Sequence, residues 1–276
     1  MDELLQHPAI QAGIAPLLIA LAVAAALWRT RLAWLGVVAA YATAVGLSVG
    51  WSLQPLSAGR KVTLLIWLAP LLGVVLDHIA RTTRWTVPVL SAACGLATWW
   101  VFASLLAQHD WTERAAMALG LFLFVAGFAA LMLRARDDGV AAGAAGVAAG
   151  LGIGVAALLS ASIGYFIGGV AMAAGAGALM LLQFGVNRPR APGFTGTLPL
   201  AVGPALFGAA SVLLAQLQWF VLPLLALVPL AALFHPWRSA ALRPRMFAAT
   251  GLAMVTAALF VAAVWIAARA ASQPTG

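Results

Sequence analysis

Residues 139–185 read GVAAGAAGVAAGLGIGVAALLSASIGYFIGGVAMAAGAGALMLLQFG, 47 residues without one charged side chain. A helix rises about 1.5 Å per residue and a bilayer's hydrocarbon is about 30 Å thick, so roughly 20 residues cross it once. The stretch is too long for one crossing, which predicts two helices folded back on each other. SASIG (160–164) is the natural turn between them. Arginines stand on both sides of the stretch, Arg134 and Arg136 before it and Arg188 and Arg190 after it. Both flanks belong on the same face of the membrane, and an even number of crossings agrees with that.

The rest of the chain repeats this pattern. Of its 276 residues 64% are hydrophobic and 8% charged, with mean hydropathy +1.04. A soluble domain carries about a quarter charged residues, so the composition defines an all-α, polytopic integral membrane helix bundle. Ten spans are expected in one transmembrane domain: 9–28, 32–53, 62–80, 86–107, 115–133, 139–160, 164–185, 198–215, 219–234 and 246–268. Odd-numbered loops hold Arg29, Arg31, Arg81, Arg84, Arg134, Arg136, Arg188, Arg190, Arg238, Arg243 and Arg245. The even loops and ends hold only Arg60, Lys61, Arg114 and Arg269. This imbalance predicts a bacterial-type inner membrane location with both termini outside the cytoplasm. The excess of basic residues lies in loops between apolar runs, so it reads as an orientation signal and no nucleic acid is expected. The acidic start MDELLQHPAIQ lacks the positive region of a cleavable signal, so the first run is expected to be retained as a span.

Spans eight and nine are expected to be short and are interrupted by Pro199, Pro204, Pro223 and Pro229. Proline removes an amide and disturbs the preceding turn, so these segments must be buried in protein or line a cavity. Their polar ends, Gln216 and Gln218, are candidate contacts at a cavity mouth. In the glycine-rich centre, Gly139, Gly143, Gly146, Gly150 and Gly154 form a stripe of small residues. Such a stripe lets another backbone approach closely, within the bundle or in a protein partner or second copy. Ser160, Ser162 and Tyr165 near the turn are candidate polar contacts of a gate.

One acid falls inside an apolar run. Asp77 and His78 end the third span in VVLDHIARTTRW (74–85). Asp77 and Arg81 are four apart on one helix face, so the expected role is an ion pair at the membrane edge, worth about 0.3–0.5 kcal/mol. No charged residue lies near a span centre, where ion-coupled carriers place titratable groups. His7, His78, His109 and His235 sit at predicted ends without HExxH, CxxCH or a carboxylate cluster, and the single Cys94 excludes CxxC. No metal, haem or other cofactor is therefore expected, and an enzyme is disfavoured by the lack of a polar constellation. LAPLLGVVLDH (68–78) and LVPLAALFH (227–235) share L-x-P-L before a histidine, but the histidines are out of register by two, so the match reads as chance.

Two functions fit a bundle of this kind: a permease or facilitator for a neutral or lipid-like solute, or a non-catalytic membrane subunit or assembly factor. A cavity reaching inward would favour transport, and a filled core with a flat apolar flank would favour the subunit. The topology is tested by reporter fusions at Gly276 and in the Arg134–Asp138 loop, which should give opposite signals. Matching signals would end the ten-span arrangement.

Overall fold

The computed structural model describes residues 10–52, 54–78, 83–160, 162–214, 217–234 and 240–272. Every regular element among them is helical. We number the α-helices α1 (Ala15–Ala26), α2 (Leu35–Ser48), α3 (Ala58–His78), α4 (Thr86–Leu106), α5 (Trp111–Arg134), α6 (Gly139–Leu159), α7 (Ile163–Val186), α8 (Gly193–Leu214), α9 (Leu222–Leu233) and α10 (Leu242–Ser272). Short turns of tighter or wider helix precede α1, α2 and α9 and follow α5. Seven helices are long and apolar enough to cross a membrane: α3 to α8 and α10. The shorter apolar segments Ile10–Ala26, Leu32–Ser48 and Trp219–Leu233 fall below that length.

The uncharged stretch folds back as expected, α6 ending at Leu159 and α7 starting at Ile163. Its glycines explain how closely the two helices lie. A Cβ on Gly150 would stand 2.7 Å from the Gly169 carbonyl, and one on Gly169 would stand 2.7 Å from the Gly150 carbonyl. Gly143 faces Met180, and Gly146 faces Ala176 and Leu200. Gly139 faces Arg190 and Gln183. All five residues of the stripe are buried within this chain. Its close approach is therefore taken up within the chain, mainly by α7 and α8.

Span eight departs from expectation. It is not short: α8 has 22 residues and starts at Gly193, five before the expected boundary at 198. GFTGT (193–197) reads as a polar, glycine-rich loop, yet it forms the first turn because the Asp77 side chain accepts its leading amides. Every residue from Phe194 to Ser211 is buried, including Pro199 and Pro204. The burial expected of broken segments is thus met by packing: α8 is the central post of the bundle, held mainly by α3 and α5. In α9, Pro229 is buried and Pro223 exposed.

The α6–α7 contact sets a strong constraint on sequence. Gly169→Leu should cost about 1–3 kcal/mol or more through overpacking. Gly120→Leu, at a position whose added Cβ meets nothing within 4 Å, should be tolerated. Thermal unfolding in detergent separates the two, and equal stability of both variants would refute the packing argument.

Candidate functional site

The two ends of the bundle differ. At the end formed by the start of α3 and of α7, a cavity of about 400 Å³ opens between α2, α3, α7 and α8. Tyr41 and Ser48 of α2, Ser57 and Arg60 at the start of α3, Tyr165 of α7 and Phe207 of α8 line it. Phe207 lies seven residues before the end of α8, which at helical rise makes the vestibule about 10 Å deep. Tyr165 and Tyr41 flank Phe207 with ring centroids 5.8 and 5.9 Å away. Tyr41 Oη lies 2.9 Å from Thr63 Oγ1, which itself donates to the Gly59 carbonyl at 3.2 Å, so the phenol donates. A buried hydroxyl without a partner would be costly, and this pair satisfies both. Arg60 supplies the charge at the mouth and donates to the Pro55 carbonyl at 3.0 Å. No carboxylate lines the space.

A second cavity, of about 410 Å³, lies between α4 and α5. Its walls include Leu96, Trp99, Trp111 and Leu119, all exposed on the flank of the bundle, and its lining is nearly all apolar. That is a crevice suited to lipid chains, with Thr98 and Arg114 as the polar residues of its lining.

At the opposite end, rich in arginine, side-chain bonds among the described residues hold α3 against α8. Asp77 Oδ1 accepts the Phe194 amide at 2.9 Å, and Oδ2 accepts the Thr195 amide at 2.9 Å and its hydroxyl at 2.8 Å. The carboxylate of α3 is therefore the cap of α8, where unpaired amides and the helix dipole favour negative charge. Gly193 is required here twice over, by a backbone φ of +61° and because a Cβ would run into Asp77. Beside this clamp Trp34 Nε1 donates to the Arg190 carbonyl at 3.2 Å, and the Arg190 amide donates to Gln183 Oε1 at 3.0 Å. The Arg136 guanidinium sits 4.9 Å over the Phe194 ring. Asp138 caps α6 through the Val140 and Ala141 amides, both at 3.1 Å, and pairs with Arg245 of α10.

These findings sort the candidate residues. Tyr165 reaches the vestibule, whereas Ser160 donates back to the Ala156 carbonyl in its own helix at 3.0 Å. Ser162 stands at the start of α7 without a side-chain cap bond. His78 Nδ1 lies 3.0 Å from the Val74 carbonyl, and His109 Nδ1 lies 3.3 Å from the Leu105 carbonyl, so both histidines bond to their own helices. Gln218 is exposed ahead of α9. Gln216, Arg81, His7 and His235 lie outside the described residues. The partner expected for Asp77 at the membrane edge, Arg81, is thus among the residues not described, and the Asp77 oxygens are engaged by the clamp on α8. Tyr41, Arg60 and Phe207 were not anticipated. One signal was available: the chain has two tyrosines, and both face the vestibule.

No protein-family model matches the chain, and no curated protein sequence matches it.

The clamp changes what a substitution should do. Asp77→Asn keeps one acceptor but turns an amide donor toward Thr195, where another donor already points. It should lower stability by about 1–3 kcal/mol, the scale for hydrogen bonds to a charged group, instead of a few tenths. A shift in detergent unfolding indistinguishable from wild type would restore the edge-residue reading.

Proposed function

We propose that the protein is a multi-pass membrane permease or facilitator for a small neutral solute with an apolar body and a polar end. The observation that supports this is the vestibule, a polar-mouthed space entering the bundle at the helices that form its core. The hydroxyls of Tyr41, Ser48, Ser57 and Tyr165 suit a neutral hydrogen-bonding group, and the Phe207 face suits an apolar one. The bias of basic loops supports placing the vestibule on the non-cytoplasmic face of an inner membrane. A role as a passive docking subunit has less support, because the glycine stripe that would serve it is occupied inside the chain.

A plug tests the proposal. A Cβ at Gly164, which lines the mouth, meets nothing within 4 Å, so Gly164→Trp should fold and fill the entrance. In a Cys94→Ala background, Tyr165→Cys should react with a membrane-impermeant thiol reagent, and Gly164→Trp should slow the reaction about tenfold or more. Small amphipathic solutes, screened as a panel on proteoliposomes, should protect the same cysteine. An unreactive Tyr165→Cys in correctly inserted protein would end the permease reading.

A further inference from the structure

Short segments of the two halves of the chain, α1–α5 and α6–α10, match in sequence. GRKVTLLIWLAPLL (59–72) in α3 and GFTGTLPLAVGPAL (193–206) in α8 agree at five of fourteen positions with a constant separation of 134 residues. The shared threonine makes the same bond in both: Thr63 Oγ1 to the Gly59 carbonyl at 3.2 Å, Thr197 Oγ1 to the Gly193 carbonyl at 2.7 Å. RAAMALGL (114–121) in α5 and RMFAATGL (245–252) in α10 agree at four of eight positions, 131 apart. Pro88 near the start of α4 matches Pro223 near the start of α9. The hairpins match in contact as well. A Cβ on Gly36 of α2 would meet the Ala20 carbonyl at 2.8 Å and then Ala24, while one on Gly169 of α7 would meet the Gly150 carbonyl at 2.7 Å and then Gly154. Residues 20 and 24 each lie 130 before 150 and 154.

Packing supports the same pairing. The pair α1–α2 corresponds to α6–α7, and α4–α5 to α9–α10, while α2–α7 and α3–α8 join the halves. Gly73 of α3 lies on Thr195 near the start of α8, and Ile66 approaches Gly203 further along, so α3 and α8 run antiparallel. Five helices per half make the second unit run opposite to the first. The set α2, α3, α7 and α8, which walls the vestibule, is the set that the repeat maps onto itself with its ends exchanged.

The two ends of that set are now in different states. At the open end Gly59 and Arg60 begin α3 and line the vestibule. Their counterparts Gly193 and Phe194 begin α8 at the sealed end, pressed on Gly73 and held by Asp77. Phe207, deep in the vestibule, corresponds to Gly73 in the seal. Among the described residues, every side-chain hydrogen bond between the halves belongs to the sealed end: those of Asp77 with Phe194 and Thr195, and that of Trp34 with Arg190. The counterpart of Asp77 is Ser211, which donates to the Phe207 carbonyl at 2.9 Å, while the Arg60 amide at the start of α3 is capped from within its own segment by Ser57 Oγ at 3.5 Å.

We infer that this is an inverted duplication working as an alternating carrier, in which the Asp77 clamp on the first turn of α8 is the closed gate at the arginine-rich end. The inference rests on the permease reading and names its mechanism. Exchanging the conformations of the two halves opens the seal between α3 and α8 and closes the vestibule between α3 and α8 at its other end. Ser211 then stands where it can cap the start of α3, as Asp77 now caps α8. A hydroxyl is a weaker cap there than a carboxylate, which leaves the vestibule-open form as the resting state.

The test needs no solute. Two reporters are built separately in the Cys94→Ala background: Gly59→Cys at the vestibule, where an added Cβ meets nothing within 4 Å, and Thr197→Cys at the seal, fully buried. An impermeant thiol reagent is applied to each face of vesicles. Without further change, Gly59→Cys should react from the vestibule face and Thr197→Cys should stay inert. Asp77→Ala should raise labelling of Thr197→Cys from the arginine-rich face about tenfold and lower that of Gly59→Cys, because one opening closes the other. Gly73→Ala, which wedges a methyl group against Thr195, should act in the same direction, and Thr195→Val, which removes the hydroxyl bond alone, should do so more weakly. Labelling of Thr197→Cys that rises while Gly59→Cys stays unchanged means local fraying and overturns the gate. No rise in any of the three variants overturns it as well. Either failure leaves the plugging result at Gly164 standing, so the gate and the permease reading fail separately.

Discussion

The bundle depends on one carboxylate crossing from α3 to α8. An α-helix begins with amides that have no partner in their own helix, and inside a protein in lipid no water replaces them. The first turn of α8 is buried, so acceptors brought to it by another element stabilise it. Asp77 brings two oxygens and takes three hydrogens. That converts a glycine- and threonine-rich loop into the opening of the most buried helix in the structure, one whose residues from Phe194 to Ser211 have no exposed face. The other core contacts of α8 follow from its being fixed at this end. Leu200 fills against Gly146, Met172 reaches Gly203, and Phe207 is placed between the two tyrosines.

Small residues then decide how tightly the neighbours close. Association of apolar helices within lipid gains little from burial, since lipid is as apolar as leucine, so it relies on close van der Waals contact and on hydrogen bonds. The α6–α7 hairpin uses the first, with backbone on backbone at Gly150 and Gly169. The arginine-rich end uses the second, through Asp77, Trp34, Gln183 and Asp138. The vestibule end has aromatic rings and the Tyr41–Thr63 bond between α2 and α3, with no side-chain hydrogen bond between α3 and α8 among the described residues. Separating rings from a wetted cavity costs less than stripping a carboxylate from three donors, so of the two ends the sealed one is the harder to open.

Much of this was legible in the sequence, for reasons that also define what was not. Hydropathy located the seven long apolar helices, and a charge-free run of twice the bilayer length placed the turn within 160–164. These are local signals. The partner of Asp77 is 117 residues away along the chain, and only the nearby Arg81 was visible as a candidate. The same blindness moved the start of α8 five residues late, because GFTGT resembles a loop until an acceptor faces it. The repeat was legible in principle, in the fourteen residues from Gly59 and from Gly193. The pair compared instead, 68–78 with 227–235, lies six helices apart and therefore runs in one direction, whereas the repeating unit has five. The vestibule could not be read at all, since a cavity is a property of what four helices fail to fill.

The departures from the repeat also have a physical reading. Helix α8 packs on α5 and α6 on α10, yet the equivalent pairs α3 with α10 and α1 with α5 are not among those that pack extensively. Two copies of one folding unit in the same conformation would make both sets or neither. The second half supplies the inner helices and the glycines of closest approach, and the first half supplies α3 and α4, which keep one flank exposed. Within this asymmetry, α3 and α8 still share an antiparallel seam in which each helix begins beside the far part of the other. At one end of that seam the beginning is held by a carboxylate, and at the other the equivalent serine is turned back on its own helix. The carboxylate draws α8 onto α3 at its end of the seam, and where the serine bonds within its own helix the two helices stand apart around the vestibule.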